Sequence, residues 1–183
     1  MKGSLVKYVL RLSLTLLAVT SLVAAALAGI NAITKDRIAQ IKQEKIEKAI
    51  AQVLPNATVS GAAEFEDATG LVKTVYASDK GYAVEVVPAG FGGGITMMVG
   101  VTGEGKVSGI AIVSHTETAG LGSVAGADNA AGQAFRDQFV GAAGPLAVDK
   151  DGGDIDSITS ATITSRAVVQ GVNAALEAIK NLG

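Results

Sequence analysis

Read for its alternation of apolar and polar positions, the chain falls into stretches of three kinds. Residues 12–34 hold no charged side chain. A helix needs roughly 20 apolar residues to cross a hydrocarbon layer, so this run predicts one transmembrane helix. Lys2, Lys7 and Arg11 precede it, and Lys35, Asp36 and Arg37 follow. The bias of positive charge predicts an N-terminus in the cytoplasm and the rest of the chain on the extracytoplasmic side of a cytoplasmic (inner) membrane. Ala26-Leu27-Ala28 before Gly29 has the small-x-small form of a signal cleavage site, which makes cleavage after Ala28 the alternative. The apolar run continues through Ile30 and Ile33, beyond the roughly 7–15 residues of a signal core, and this favours an uncleaved anchor.

From residue 35 the pattern becomes helical. Ile38, Ile41, Lys45, Ala49 and Val53 fall near one stripe, charges cover the remainder, and Pro55-Asn56 ends the run. A helical stalk or packing arm over 35–56 is expected. The period then changes to two. Residues 71–76 and 82–87 flank the turn Asp79-Lys80-Gly81, and residues 95–102 and 107–114 flank Gly103-Glu104-Gly105-Lys106. Val99, Val101, Val107, Ile110 and Ile112 supply the β-branched residues of two hairpins. Helical spacing returns over 128–140, with Ala131, Ala134, Phe135 and Phe139 on one side. It recurs in a final helix ending at Gly183, whose apolar face is Val168, Val172, Ala175, Leu176 and Ile179. Hairpins followed by segregated helices predict an α+β fold, with antiparallel hairpins and packed helices behind one transmembrane helix. The expected division is 1–11 cytoplasmic, 12–34 transmembrane, 35–56 stalk and 57–183 folded domain.

Composition narrows the chemistry. With 15 basic and 17 acidic residues the formal charge is −2, which gives no basic surface for nucleic acid. The mean hydropathy of +0.41 is concentrated near the N-terminus. The chain has no Cys and a single His. It therefore holds no iron–sulfur cluster, thiol catalyst or disulfide of its own, and a typical zinc site is not expected. Any redox chemistry here needs an organic cofactor.

Two stretches carry candidate chemistry. The first is the hydroxyl-rich run 157–165 that follows Asp156 and leads into the last helix. Ser and Thr are favoured where helices begin, so one reading is a plain N-cap. The unpaired N–H groups and positive dipole end of a helix start also suit a phosphate, which is the other reading. The second stretch is His115-Thr116-Glu117-Thr118-Ala119-Gly120-Leu121-Gly122, a loop that is polar at first and then glycine-rich, where backbone can approach a flat ligand. By itself such a loop can serve only to turn the chain.

Together the two resemble the FMN-binding domain family. The first stretch looks like its flavin-attachment motif: an Asp, two variable residues, Ser or Thr, a small residue, Ala, the acceptor Thr, and a further hydroxyl residue. Those positions are Asp156, Thr159, Ser160, Ala161, Thr162 and Thr164, with Ser160 where the family most often has Gly. The second is similar to the family's His-x-Glu-Thr-Pro-Gly-Leu-Gly, with Ala119 for Pro. Upstream, Gly90-Phe91-Gly92-Gly93-Gly94-Ile95 resembles its Gly-aromatic-Gly-Gly-Pro-Ile segment.

The order of these motifs behind a membrane helix is similar to the G-subunit family of Rnf-type ion-translocating ferredoxin:NAD oxidoreductases. A related family, the C subunits of sodium-translocating NADH:quinone oxidoreductases, shares the same parts. The resemblance implies an electron-carrier subunit with FMN joined covalently to Thr162 as a phosphoester, coupled by its complex to Na⁺ or H⁺ transport. It implies a flavin transferase during maturation, and membrane and iron–sulfur subunits as partners. Thr159, Ser160, Thr164 and Ser165 become further donors around the phosphate. Glu117, Thr118, Gly120, Leu121 and Gly122 would lie against the flavin, and His115 is counted with them without a proton-transfer role. A free-standing extracytoplasmic FMN domain or a non-redox exported binding module are the alternatives.

Overall fold

The computed structural model describes residues 2–182. Met1 and Gly183, the ends of the predicted N-terminal segment and of the predicted last helix, lie outside the described residues. Helix α1 (Lys2–Val53) is continuous, and one stretch of it is long and apolar enough to cross a membrane. Over residues 12–34 its apolar side chains are exposed, among them Leu14 at 66%, Leu22 at 73% and Ile33 at 81%. A helix that is apolar all round and buried against nothing in its own chain is suited to lipid.

The chain divides into two compact units between Glu44 and Lys45. The second contains the last turns of α1, five strands and the remaining helices. Strands β1 (Val59–Ala63), β2 (Val72–Ser78), β3 (Gly81–Val86), β4 (Thr96–Thr102) and β5 (Val107–Ser114) form an antiparallel meander in that spatial order. The two predicted hairpins are β2–β3 and β4–β5, and β3 pairs with β4 as well. Strand β1 was not expected. It lies at the edge of the sheet with exposed side chains, so its Val-Ser-Gly-Ala-Ala sequence carries no buried alternation to betray it.

Both faces of the sheet centre are covered, so β3 and β4 are buried almost along their whole length. On one face Val84, Val86, Met97, Val99, Val101 and Ile110 pack with Val168, Val172, Ala175 and Ile179 of the last helix and with Phe135 and Phe139. On the other, Ala83, Met98 and Ala111 meet Ile46, Ala49, Ile50, Val53 and Leu54 at the end of α1. Side chains on a strand alternate faces, so consecutive residues such as Met97 and Met98 enter opposite clusters. The stripe expected on the 35–54 helix is thus corrected in part. Ala49 and Val53 are buried as expected, whereas Ile38 and Ile41 are exposed and Ile46 and Ile50 complete the packed face.

Helix α2 (Ala130–Asp137) is shorter than the predicted 128–140 and turns differently. Phe135 and Phe139 are buried, edge to face with centroids 5.5 Å apart, but Ala131 and Ala134 are exposed and Gly132 and Arg136 take the inner positions. The cause is a close approach. A Cβ on Gly132 would lie 2.3 Å from Ala127 O, and the Arg136 guanidinium reaches over to donate to Ala125 O at 2.9 Å and Ala127 O at 3.0 Å. The last helix, α3 (Thr162–Lys180), buries Val168, Val172, Ala175 and Ile179 as predicted, leaves Leu176 half-buried, and stops three residues short of the chain end.

Candidate functional site

Three segments that are far apart in sequence meet at the start of α3. The first is the loop 87–95 between β3 and β4. The second follows β5 and includes a 3-10 turn, Gly122–Gly126. The third is the turn that leads into α3. In that turn the Ala161 N–H donates to Ile158 O at 2.9 Å, with Ser160 in the left-handed region at φ 61°. This conformation favours glycine, because an L side chain placed there crowds its own backbone. Ser160 occupies it with a Cβ, which explains in physical terms why a glycine would be at home at this position.

Ser165, fully buried one turn into α3, holds the turn in place: its Oγ accepts from the Ile158 N–H at 2.9 Å and donates to Ala161 O at 3.1 Å. The reading of the hydroxyl cluster as an ordinary cap is corrected here. The N-cap position is Ala161, and no side chain caps the helix. The first amides of α3, at Thr162, Ile163 and Thr164, are therefore without a side-chain acceptor. Thr162 is half-exposed at the first helical position, and its hydroxyl makes no hydrogen bond among the described residues.

Thr164 and Ser165 were expected to donate to a phosphate. Their hydroxyl protons are committed elsewhere, Ser165 to Ala161 O and Thr164 to Glu117 Oε2. Glu117 is the node of the site. It is 8% exposed, and its Oε1 accepts from the Gly92 N–H at 2.8 Å, so one carboxylate ties all three segments together. Burial pushes this carboxyl up, but the hydrogen bonds from Thr164 and the N–H groups of Gly92 and Phe91, with His115 nearby, hold it below the usual glutamate range. Gly122 completes the junction, because a Cβ there would stand 2.4 Å from both Glu117 Oε2 and Thr164 Oγ1. His115 supports the loop through Nδ1, which accepts the Glu117 N–H at 3.2 Å, and Thr116 Oγ1 donates to Gly92 O at 2.9 Å.

A cavity of about 380 Å³ opens at this junction, lined by Glu117, Thr118, Leu121 and Gly122 from one loop, Ser160, Ala161, Thr162, Ile163 and Thr164 from the other, and Phe91. Its size lies within the range of small-molecule sites. Phe91, Leu121 and Ile163 are 70%, 41% and 50% exposed and give it apolar walls. Phe91 and Ile163 were not among the residues singled out for the site. The signal for Phe91 was its place as an aromatic inside a glycine run. For Ile163 there was none, because a variable position between two motif threonines becomes a wall only once the helix starts at Thr162.

Asp156, Thr159 and Gly120 lie on a neighbouring cavity of about 510 Å³ formed by the same two loops and α2, and His115 and Ser165 line neither. Asp156 is held by its backbone, which donates to Gln138 Oε1 at 2.7 Å and accepts from Gln138 Nε2 at 3.3 Å. Next to it, Asp149 accepts the Ser157 N–H at 3.0 Å, and Lys150 and Ser157 hold the Asp149 carboxyl well below its ordinary value. A larger cleft, about 810 Å³, lies between the β4–β5 turn and the end of α3 and contains none of these residues.

The donor set fits a flavin mononucleotide. Uncapped helix amides suit a phosphate, the Thr162 hydroxyl is free beside them, and a cavity with apolar walls suits a flat ring. The comparison with known proteins agrees. The FMN-binding domain family matches residues 90–177, which makes the folded part of the chain an FMN-binding domain. The RnfG N-terminal region matches residues 1–53.

The chain is 40% identical to the G subunit of the proton-translocating ferredoxin:NAD(+) oxidoreductase complex of Clostridium ljungdahlii, over 84% of this chain and 82% of that protein. It is 35% identical to the G subunit of the ion-translocating oxidoreductase complex of Stutzerimonas stutzeri, over 90% and 78%. With the G subunit of the Na(+)-translocating ferredoxin:NAD(+) oxidoreductase complex of Acetobacterium woodii the identity is 30% over 96% and 94%. The chain belongs to the family of G subunits of ion-translocating oxidoreductase complexes.

Proposed function

We propose that this protein is the electron-transfer subunit of an Rnf-type ferredoxin:NAD oxidoreductase and carries FMN covalently on Thr162, through a phosphoester to the threonine hydroxyl. The observation that carries this reading is the position of Thr162: a half-exposed hydroxyl without a protein partner among the described residues, at the first position of an uncapped helix, on the wall of the cavity. When bound, FMN supplies reversible uptake and release of electrons, which this cysteine-free chain lacks.

The chain's own residues then have distinct tasks. The amides of Thr162, Ile163 and Thr164 offset the charge that a phosphodiester retains. Ser165 fixes the turn that presents Thr162. Glu117 holds the glycine loops against the start of α3, and Phe91, Leu121 and Ile163 give the ring an apolar setting. Asp156, Thr159 and Ser160 form the approach along which a flavin transferase reads the motif.

In this reading α1 spans the membrane over residues 12–34 with its N-terminus inside, and the domain lies outside, joined to the other membrane and iron–sulfur subunits of the complex. The coupling ion is Na⁺ or H⁺; the relatives carry one or the other in their names. Outside the cell free FMN is scarce, and a covalent bond prevents loss by mass action.

The test is the intact mass of native protein, coexpressed with a flavin transferase and exported, together with flavin fluorescence of the denatured band. The expected result is a mass increment of one FMN less water, which Thr162→Val abolishes. A native chain of unmodified mass rejects the covalent reading.

A further inference from the structure

Glu117 combines three properties that no other acid in the chain shares among the described residues. It is 8% exposed. It lines the cavity at the start of α3. It is also without a Lys or Arg partner among the described residues, unlike Glu104 with Lys106, Asp149 with Lys150 and Asp151 with Arg166. Both carboxylate oxygens accept hydrogen bonds, Oε1 from the Gly92 amide at 2.8 Å and Oε2 from the Thr164 hydroxyl. An amide N–H cannot receive a carboxylic proton, so the Gly92 bond needs an acceptor oxygen, and the Thr164 hydroxyl donates to the other. This arrangement suits the ionised form, so the charge persists inside the site rather than being neutralised.

A fixed charge in a buried setting is felt strongly by its neighbours because little solvent screens it. We infer that the Glu117 carboxylate sets the reduction potential of the flavin, lowering it by opposing the negative charge that an added electron brings. The inference rests on the FMN reading above. It gives Glu117 a role besides that of scaffold, and substitution separates the two. Glu117→Gln keeps the side-chain length and the acceptor for Gly92, and the Thr164 hydroxyl can turn to accept from the new amide, so the ties survive while the charge goes. Glu117→Asp keeps the charge but withdraws it by one methylene, which weakens the ties.

The experiment is a spectroelectrochemical titration of the full-length holoprotein, purified in detergent after coexpression with a flavin transferase, for wild type and both variants. Flavin content by intact mass and thermal melting are measured on the same samples. The expected result is an upward shift of the midpoint potential in Glu117→Gln. The Glu117→Asp variant is expected to melt lower yet keep the wild-type potential. A Glu117→Gln potential equal to or below wild type overturns the inference, as does an equal upward shift in both variants. If Glu117→Gln does not fold, Glu117→Met, which keeps the length and removes the charge, is read in its place: a raised potential supports the role and an unchanged or lowered one overturns it. A wild-type chain without flavin overturns both the inference and the reading beneath it, whereas loaded protein whose potential ignores Glu117 overturns the inference only.

Discussion

At the scale of single residues, the site depends on which hydroxyl is left free. Among the threonines and serines at the head of α3, Ser165 and Thr164 hold structure, and Thr162 does not. Thr162→Val should therefore leave the thermal midpoint of flavin-free protein almost unchanged, within the roughly ±0.5 kcal/mol of ordinary surface substitutions. Ser165→Ala should lower stability by about 1–3 kcal/mol, because it strips the part-buried Ile158 N–H of its acceptor and removes a fully buried hydroxyl; chemical denaturation of the two variants checks the contrast.

Ser160 gives a second test. At φ 61° a β-branched residue is strained, so Ser160→Val should cost about 1–2 kcal/mol, whereas Ser160→Gly should be neutral or mildly stabilising. Glu117 predicts a pH dependence. Its folded pKa is depressed, so its contribution to stability is present above the unfolded value of about 4.3 and is lost as pH falls through the folded value. Melting curves taken between about pH 5 and pH 3 should fall less steeply for Glu117→Gln than for wild type.

At the scale of elements, the end of α1 and the sheet are fitted to each other closely. Ser108 Oγ donates to Val53 O at 2.6 Å, satisfying a carbonyl that the helix end would leave unpaired. On the adjacent strand a Cβ at Gly100 would stand 2.3 Å from that same Ser108 Oγ and 2.7 Å from Val53 O. Gly100→Ala should therefore destabilise the domain by about 1–3 kcal/mol through overpacking. Ser108→Ala should cost about 1 kcal/mol through the lost bond. The two should not add, because they share a partner. Urea denaturation of the single and double variants measures the coupling.

At the scale of the whole molecule, the membrane segment and the folded domain share one helix, yet their compact units meet between Glu44 and Lys45. A chain starting at Lys45 keeps Ile46, Ala49, Ile50, Val53 and Leu54 over Ala83, Met98 and Ala111. It should be soluble, monomeric and cooperatively folded. A chain starting at residue 57 loses that layer. Each buried Ile, Leu or Val contributes about 1.5–3 kcal/mol, and the loss of four rivals the roughly 5–15 kcal/mol of an ordinary domain. Size-exclusion chromatography and thermal melting should show the longer domain folded and the shorter one aggregated or molten.

The sequence by itself determined the elements whose signal is local. An uncharged run announces a span, β-branched hairpins with Gly turns announce β2 to β5, and the spacing of Val168, Val172, Ala175 and Ile179 announces α3. Motif resemblance also marked Thr162 and the Glu117 loop, because those residues answer to chemistry rather than to packing. Tertiary structure alone decided the rest. Edge strand β1 exists through its pairing with β2 and carries no pattern of its own. Which hydroxyl is free at α3 depends on what lies opposite each one: Thr164 is taken by Glu117, 47 residues away, and Ser165 by the turn just before the helix. The carboxylate tie, the left-handed Ser160 and the apolar walls of Phe91 and Ile163 are relations between distant segments, and such relations come into being when burial brings those segments together.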